Sequence, residues 1–101
     1  MSGSIVSSTR GSLSPQKALK LANMYLESAD NVDDDEIALV LCHDTEISLK
    51  EAKKAVRRVE DQYLIQEIAD VYVQLGDHLN SRGHPDEAKV SYQKAGKLGY
   101  V

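Results

Sequence analysis

The sequence predicts an all-α fold: four antiparallel helices forming two stacked helix–turn–helix hairpins with long middle helices. Between Ile68 and Gly99, Tyr72, Leu75, Gly76 and Leu79 recur at helical spacing and share one face. Gly83 and Pro85 then break the period. Gly can take the left-handed conformation that ends a helix, and Pro suits a helix's first position. Beyond them Ala88, Tyr92 and Ala95 mark the face of a shorter helix running back. An echo of this order lies near the N-terminus, where Ala18, Leu21, Ala22 and Tyr25 repeat at helical spacing.

Residues Met1 to Leu13 (MSGSIVSSTRGSL) are dominated by Ser and Gly and have no period. They offer too little apolar surface to offset the entropy of ordering, so they read as a flexible tail ahead of one helical domain over residues 14–101. Ser14-Pro15 opens the first helix, which runs to about Ser28; Ser supplies an oxygen to cap free N–H groups. Asp30 to Glu36 (DNVDDDE) reads as a turn and an acidic helix start, where carboxylates meet the positive end of the helix dipole. A calcium loop would need a Gly for its bend, and this run has none and continues directly into Ile37.

From Glu36 to about Arg58 there is neither Gly nor Pro. Ile37, Val40, Leu41, Ile47, Ala52, Ala55, Val56 and Val59 trace a stripe expected to face inward, interrupted by Asp44 and Ser48. Ser48-x-x-Glu51 matches a capping box, which leaves a break near Ile47 open. Glu60-Asp61 is the expected turn. The third helix then covers about Asp61 to Ser81, with Leu64, Ile65, Ile68, Tyr72, Leu75 and Leu79 inward. The fourth covers about Pro85 to Lys97, with Gly99 as its C-cap.

The second hairpin resembles a tetratricopeptide (TPR) repeat, a helix–turn–helix unit of about 34 residues. Tyr72 stands at its aromatic position, Leu75-Gly76 at its L-G pair, Leu79 at the next large residue, and Ala88, Tyr92 and Ala95 at the closing triplet. Leu79 replaces a usual aromatic, and Tyr100 falls about where the family often has Pro. The first hairpin reads as a degraded second unit, with Leu21-Ala22 for the L-G pair and Tyr25 in the place of Leu79. Ala18 stands there for a bulky aromatic, and Ala38, Cys42 and Thr45 are the closing triplet. The long middle helix overshoots such a repeat by roughly two turns. The whole of Ser14 to Gly99, with IALVLCHDTEISLKEAKKA ahead of the hairpin, is also similar to a helical region of large multidomain fungal WD-repeat proteins. That likeness implies a domain of a scaffold or signalling protein.

The TPR resemblance implies a protein-binding module rather than an enzyme, with the first helix of each hairpin lining a groove for a peptide or partner helix. Carried over by position, the groove displays Leu19, Asn23, Leu26 and Glu27, then Val73, Asp77, Asn80 and Ser81. Leu19, Leu26 and Val73 lie off the inward stripes and are expected to be exposed contacts. Glu27 and Asp77 suggest a partner carrying Lys or Arg. TPR domains that grip chaperone C-terminal carboxylates use a Lys and two Asn. Here only Asn23 matches, with Leu19 and Asp77 at the other positions, so that role is not expected. The rival is a homodimer through the flank of the last helix around Val90 and Tyr100, because two repeats are fewer than the three or so that stabilise a solenoid.

Composition argues against other classes. A net charge of −4 and a pI near 5.3 do not suit phosphate-backbone binding. The basic cluster of Lys50, Lys53, Lys54, Arg57 and Arg58 lacks interleaved aromatics and lies near Glu60, Asp61 and Glu67, so it reads as a solvated face. Within it, Glu46 and Lys50 have favourable helical spacing. No apolar run approaches the ~18 residues of a membrane span, and no signal pattern opens the chain. The lone Cys42 excludes an intrachain disulfide and fits a reducing compartment, so a cytoplasmic protein is expected, with no nucleic-acid or membrane partner. Cys42, His43 and Asp44 point about 100° apart on a helix and cannot converge on one atom. His78 and His84 lack ligand-spaced neighbours and read as solvated, as do Glu67, Asp70 and Asp77. No catalytic residue, metal site or cofactor is expected; a small helical enzyme would need a formed pocket with converging titratable groups.

Overall fold

The computed structural model describes residues 14–59 and 61–99, the side chains of Arg57, Arg58 and Val59 excepted, so the expectations placed on those three side chains and on Met1–Leu13, Glu60 and Tyr100 lie outside the described residues. Four helices follow one another: α1 Pro15–Asn31, α2 Asp35–Val59, α3 Gln62–Ser81 and α4 Pro85–Lys97. Their ends fall where the sequence supplies capping chemistry. The Ser14 hydroxyl accepts from Lys17 N at 3.2 Å, and Asp34 Oδ1 accepts from Glu36 N and Ile37 N at 2.9 and 3.2 Å. Asp61 Oδ1 accepts from Leu64 N at 3.2 Å. These carboxylates and hydroxyls satisfy donors that a helix's first turn leaves free. At the end of α3, Gly83 takes φ +87°, so Gly83 N reaches Asn80 O and His84 N reaches Leu79 O. That double bond pattern needs a left-handed residue, which Gly adopts without a Cβ penalty.

α1 packs along α2 and α3 along α4, giving two antiparallel hairpins; α3 joins them by touching both α2 and α1. The interior is built mostly from small and medium side chains, with Tyr72 the largest fully buried one. Ala18, Ala22 and Ala29 of α1 are buried, together with Leu19 and Leu26, while Leu21 and Tyr25 are only half-buried.

α2 runs unbroken through Ile47 as the expected long middle helix, so the alternative break does not occur and Ser48 and Glu51 form no new helix start; Ser48 is buried. Its inward face departs from expectation in its first half: Ala52 and Val56 are buried as expected, but Ala38, Cys42, Thr45, Ser48 and Leu49 are buried with them, whereas Ile37, Val40 and Ile47 are exposed. Small side chains let the α2 backbone close on its neighbours, and Thr45 pairs its hydroxyl with Leu41 O at 2.8 Å, so a polar residue is tolerated inside. With 25 residues against 17 in α1, α2 exceeds its hairpin partner by about two turns.

α3 and α4 close at Gly76. A Cβ there would lie 2.7 Å from Tyr92 Cε1, so the Tyr92 ring rests on the bare helix backbone. The ring is tethered, because its hydroxyl donates to Asp77 Oδ1 at 2.5 Å. That bond, more than burial, raises the Tyr92 pKa. Ser91 completes the seam by donating to Tyr72 O at 2.7 Å. We expect Gly76→Leu to cost about 1–3 kcal/mol by displacing the ring. In a Tyr92→Ala background, Gly76→Ala should instead be neutral or gain about 0.5–1 kcal/mol, because Ala favours helix. Urea midpoints of the variants check this, and an equal cost in both backgrounds would contradict the contact.

Candidate binding groove

A groove of ≈ 420 Å³ runs between α1 and α3. Asn23, Leu26, Glu27 and Asp30 line it from α1; Gln74, Asp77, His78 and Ser81 line it from α3. It continues toward the start of α1 as a hollow of ≈ 340 Å³ that shares Asn23 and Glu27 and adds Leu19, Met24, Leu64 and Glu67 among others. Six of the expected groove residues therefore lie on this surface: Leu19, Asn23, Leu26, Glu27, Asp77 and Ser81. Val73 and Asn80 do not; Val73 is half-buried against the core and Asn80 is exposed elsewhere on α3.

The expectation that Leu19 and Leu26 are exposed apolar contacts is corrected: both belong to the buried core, 6% and 5% exposed. The reason is geometric. α1 must bury its side against α3 as well as against α2, which widens its apolar face to take in positions 19 and 26. What the groove offers a visitor is consequently polar. In its ≈ 420 Å³ part Glu27, Asp30 and Asp77 are the ionic members and no Lys or Arg lines it, while Lys20 and Glu67 line the adjoining hollow.

Two of those carboxylates are fixed by neighbours. Asp77 accepts from Tyr92, and Asp30 Oδ1 lies 2.5 Å from His78 Nδ1. His78 is buried, contrary to the solvated reading, because its other nitrogen is also engaged: Arg82 Nε donates to Nε2 at 2.9 Å. Nδ1 therefore carries the ring proton and donates to Asp30. The Arg82 guanidinium then crosses to the first hairpin and donates to Ala29 O at 2.8 Å and to Val32 O. Beside it His84 Nε2 pairs with Asp35 Oδ2 at 2.9 Å, so His84 too has a partner. Sequence reasoning missed Asp30, Gln74 and His78, although each stands three or four residues from an expected groove position on the same helix.

A second concavity of ≈ 360 Å³ opens on the other side, where α2 and α4 straddle α3. Leu39, Cys42, Leu75, Leu79 and Val90 give it an apolar lining, with His43, Glu46 and Glu87 among the polar members. Val90 is thus a wall of this cleft, and the flank it shares with Asp86, Lys89, Gln93 and Lys97 is otherwise exposed and polar. Glu46 pairs with Lys94 rather than with Lys50, bridging α2 to α4. Burial alone would push the Glu46 carboxyl up, but the Lys94 hydrogen bond and charge, with Lys50 and His43, hold it below its ordinary value. Burial pushes the Cys42 thiol up to about 11, which leaves it a poor nucleophile. Among the described residues, no three His, Cys, Asp or Glu side chains are grouped to hold a metal, and no helix is long and apolar enough to cross a membrane.

Compared with known proteins, the chain matches no family model, no curated protein and no solved structure.

Tyr72 carries a testable oddity. Its hydroxyl is fully buried, finds no hydrogen-bond partner among the described residues, and has its pKa pushed up to about 12 by burial and then by Glu46. An unpaired buried hydroxyl is destabilising, so Tyr72→Phe should raise stability by about 1 kcal/mol at neutral pH. The raised pKa also means that the unfolded chain ionises first. Stability linked to Tyr72 is intact below the ordinary value of 10.0 and is lost as pH climbs from there toward 12. The advantage of Tyr72→Phe over the wild type should therefore widen in that window. Denaturation midpoints at neutral and alkaline pH check both; a variant less stable than the wild type would show that the hydroxyl is satisfied.

Proposed function

We propose that the chain is a protein-interaction module and not an enzyme: two TPR-like hairpins that hold a Lys- or Arg-containing peptide or helix in the groove between α1 and α3. The observation that carries this reading is the charge of the groove. Glu27, Asp30 and Asp77 line its larger part, where no cation does, Lys20 lining only the adjoining hollow, and Asp30 and Asp77 are already oriented by His78 and Tyr92. Acceptors fixed before the partner arrives spare the cost of ordering them on binding. Asn23, Gln74 and Ser81 add amide and hydroxyl groups suited to an extended backbone.

Three packing facts support the repeat reading. Ala38, Cys42 and Thr45 are buried at the closing-triplet positions of the first unit, as Ala88 and Ala95 are in the second. Tyr92 lies on Gly76. The apolar cleft opens beside Leu79, where the repeat usually has an aromatic. A buried free thiol fits a reducing compartment, so we place the module in the cytoplasm, as part of a scaffold or signalling protein.

Fluorescence anisotropy with an extended Lys/Arg-rich peptide and its Glu-rich counterpart tests the reading. The basic peptide should bind, the acidic one should not, and Glu27→Lys should weaken binding by at least about tenfold. Raising salt should weaken it further, while Asn80→Ala, off the groove, should leave it unchanged. Equal binding of both peptides, or indifference to Glu27→Lys, would overturn the proposal.

A further inference from the structure

The face of α2 turned away from the core carries Val40 and Ile47, 59% and 47% exposed, with Ile37, 52% exposed, at its edge. The hairpin does not need three β-branched apolar side chains there, since α2 buries Ala38, Cys42, Thr45, Leu49, Ala52 and Val56 instead. Charge along the same helix is polarised. Asp33, Asp34, Asp35 and Glu36 gather at its start, all exposed, and exposed Lys50 and Lys54 follow the apolar patch. Among the described residues, Lys54 contacts Glu51 at 4.0 Å.

An element with an acidic start, an apolar centre and a basic end is complementary to itself in one orientation, antiparallel. A parallel pairing would set acid on acid and base on base. We propose that a second copy of this chain docks antiparallel on the outer face of α2. With the two-fold axis between His43 and Asp44, Val40 lies opposite Ile47 of the second copy. Ile37 then lies opposite Lys50 of the second copy, and Glu36 lies opposite its Glu51, with Lys50 and Lys54 of that copy on either side. Each contact occurs twice, as a two-fold interface requires. Three apolar side chains per copy and a ring of charges place this at the small end of specific interfaces, so the dimer is weak and salt-sensitive. No groove-lining residue lies on α2, so a dimer would present two grooves at once and gain avidity toward a partner with repeated basic segments. The dimer itself does not rest on the groove reading.

Sedimentation equilibrium across micromolar to millimolar concentrations tests it, with circular dichroism confirming that each variant stays folded. The wild type should approach twice the monomer mass as concentration rises. Val40→Asp and Ile47→Asp should each weaken association by at least about tenfold. Glu36→Lys and the pair Lys50→Glu, Lys54→Glu should each weaken it, and all three charge changes together should restore it, which a merely sticky patch would not do. Asp77→Asn and Val90→Asp should leave it unchanged. A monomer at every concentration overturns the proposal. So does a dimer that survives Val40→Asp but not Val90→Asp, or one that forms only after residues 1–13 are deleted, which would make that segment the occupant of the patch.

Discussion

The two hairpins are joined at their loop end by a polar network centred on Arg82, with the His84–Asp35 pair beside it. The last carbonyls of any helix lack intrahelical partners, and burying them unpaired is costly. α1 ends against the second hairpin, and Arg82, fifty or so positions later, donates to Ala29 O and Val32 O there. The same guanidinium donates to His78, which donates in turn to Asp30 on α1. The cap of α1, the orientation of a groove carboxylate and the docking of two hairpins are thus one network. At the far end α2 and α4 are bridged by Glu46 and Lys94, with α3 between them.

That arrangement explains why the core can be modest. Buried alanines line all four helices, so the backbones approach closely and much of the packing is made by the helices themselves rather than by large side chains. The exceptions are informative. Tyr72 fills the centre but strands its hydroxyl, and the Tyr92 ring rests against Gly76 with its oxygen delivered to Asp77. The second of these links packing to the groove: the ring that closes the hairpin also orients a groove carboxylate.

The helices were legible in the sequence because their ends are marked by residues with local chemistry. Ser14-Pro15, Asp61, Gly83 and Pro85 act within a few residues of themselves, and the structure uses each of them where it stands. The face of α2 was not legible in the same way. Ile37, Val40 and Ile47 dominate any count of hydrophobicity, whereas its interior is chosen for small size, a criterion that Ala38, Cys42 and Thr45 satisfy and transfer energy does not weigh. The groove fell between these cases. Its location between the first helices of the two hairpins was readable, but Leu19 and Leu26 were misjudged because their burial comes from α3, a neighbour in space and not in sequence. Nothing local to Arg82 or Ala29 announces that they meet.

Native-state amide hydrogen exchange on Arg82→Gln tests the central claim most directly. If Arg82 joins the hairpins, the variant should lose about 2–3 kcal/mol of protection in the last turns of α1 and α3, with the two hairpins then opening at separate free energies. Protection patterns indistinguishable from the wild type along both helices would contradict it.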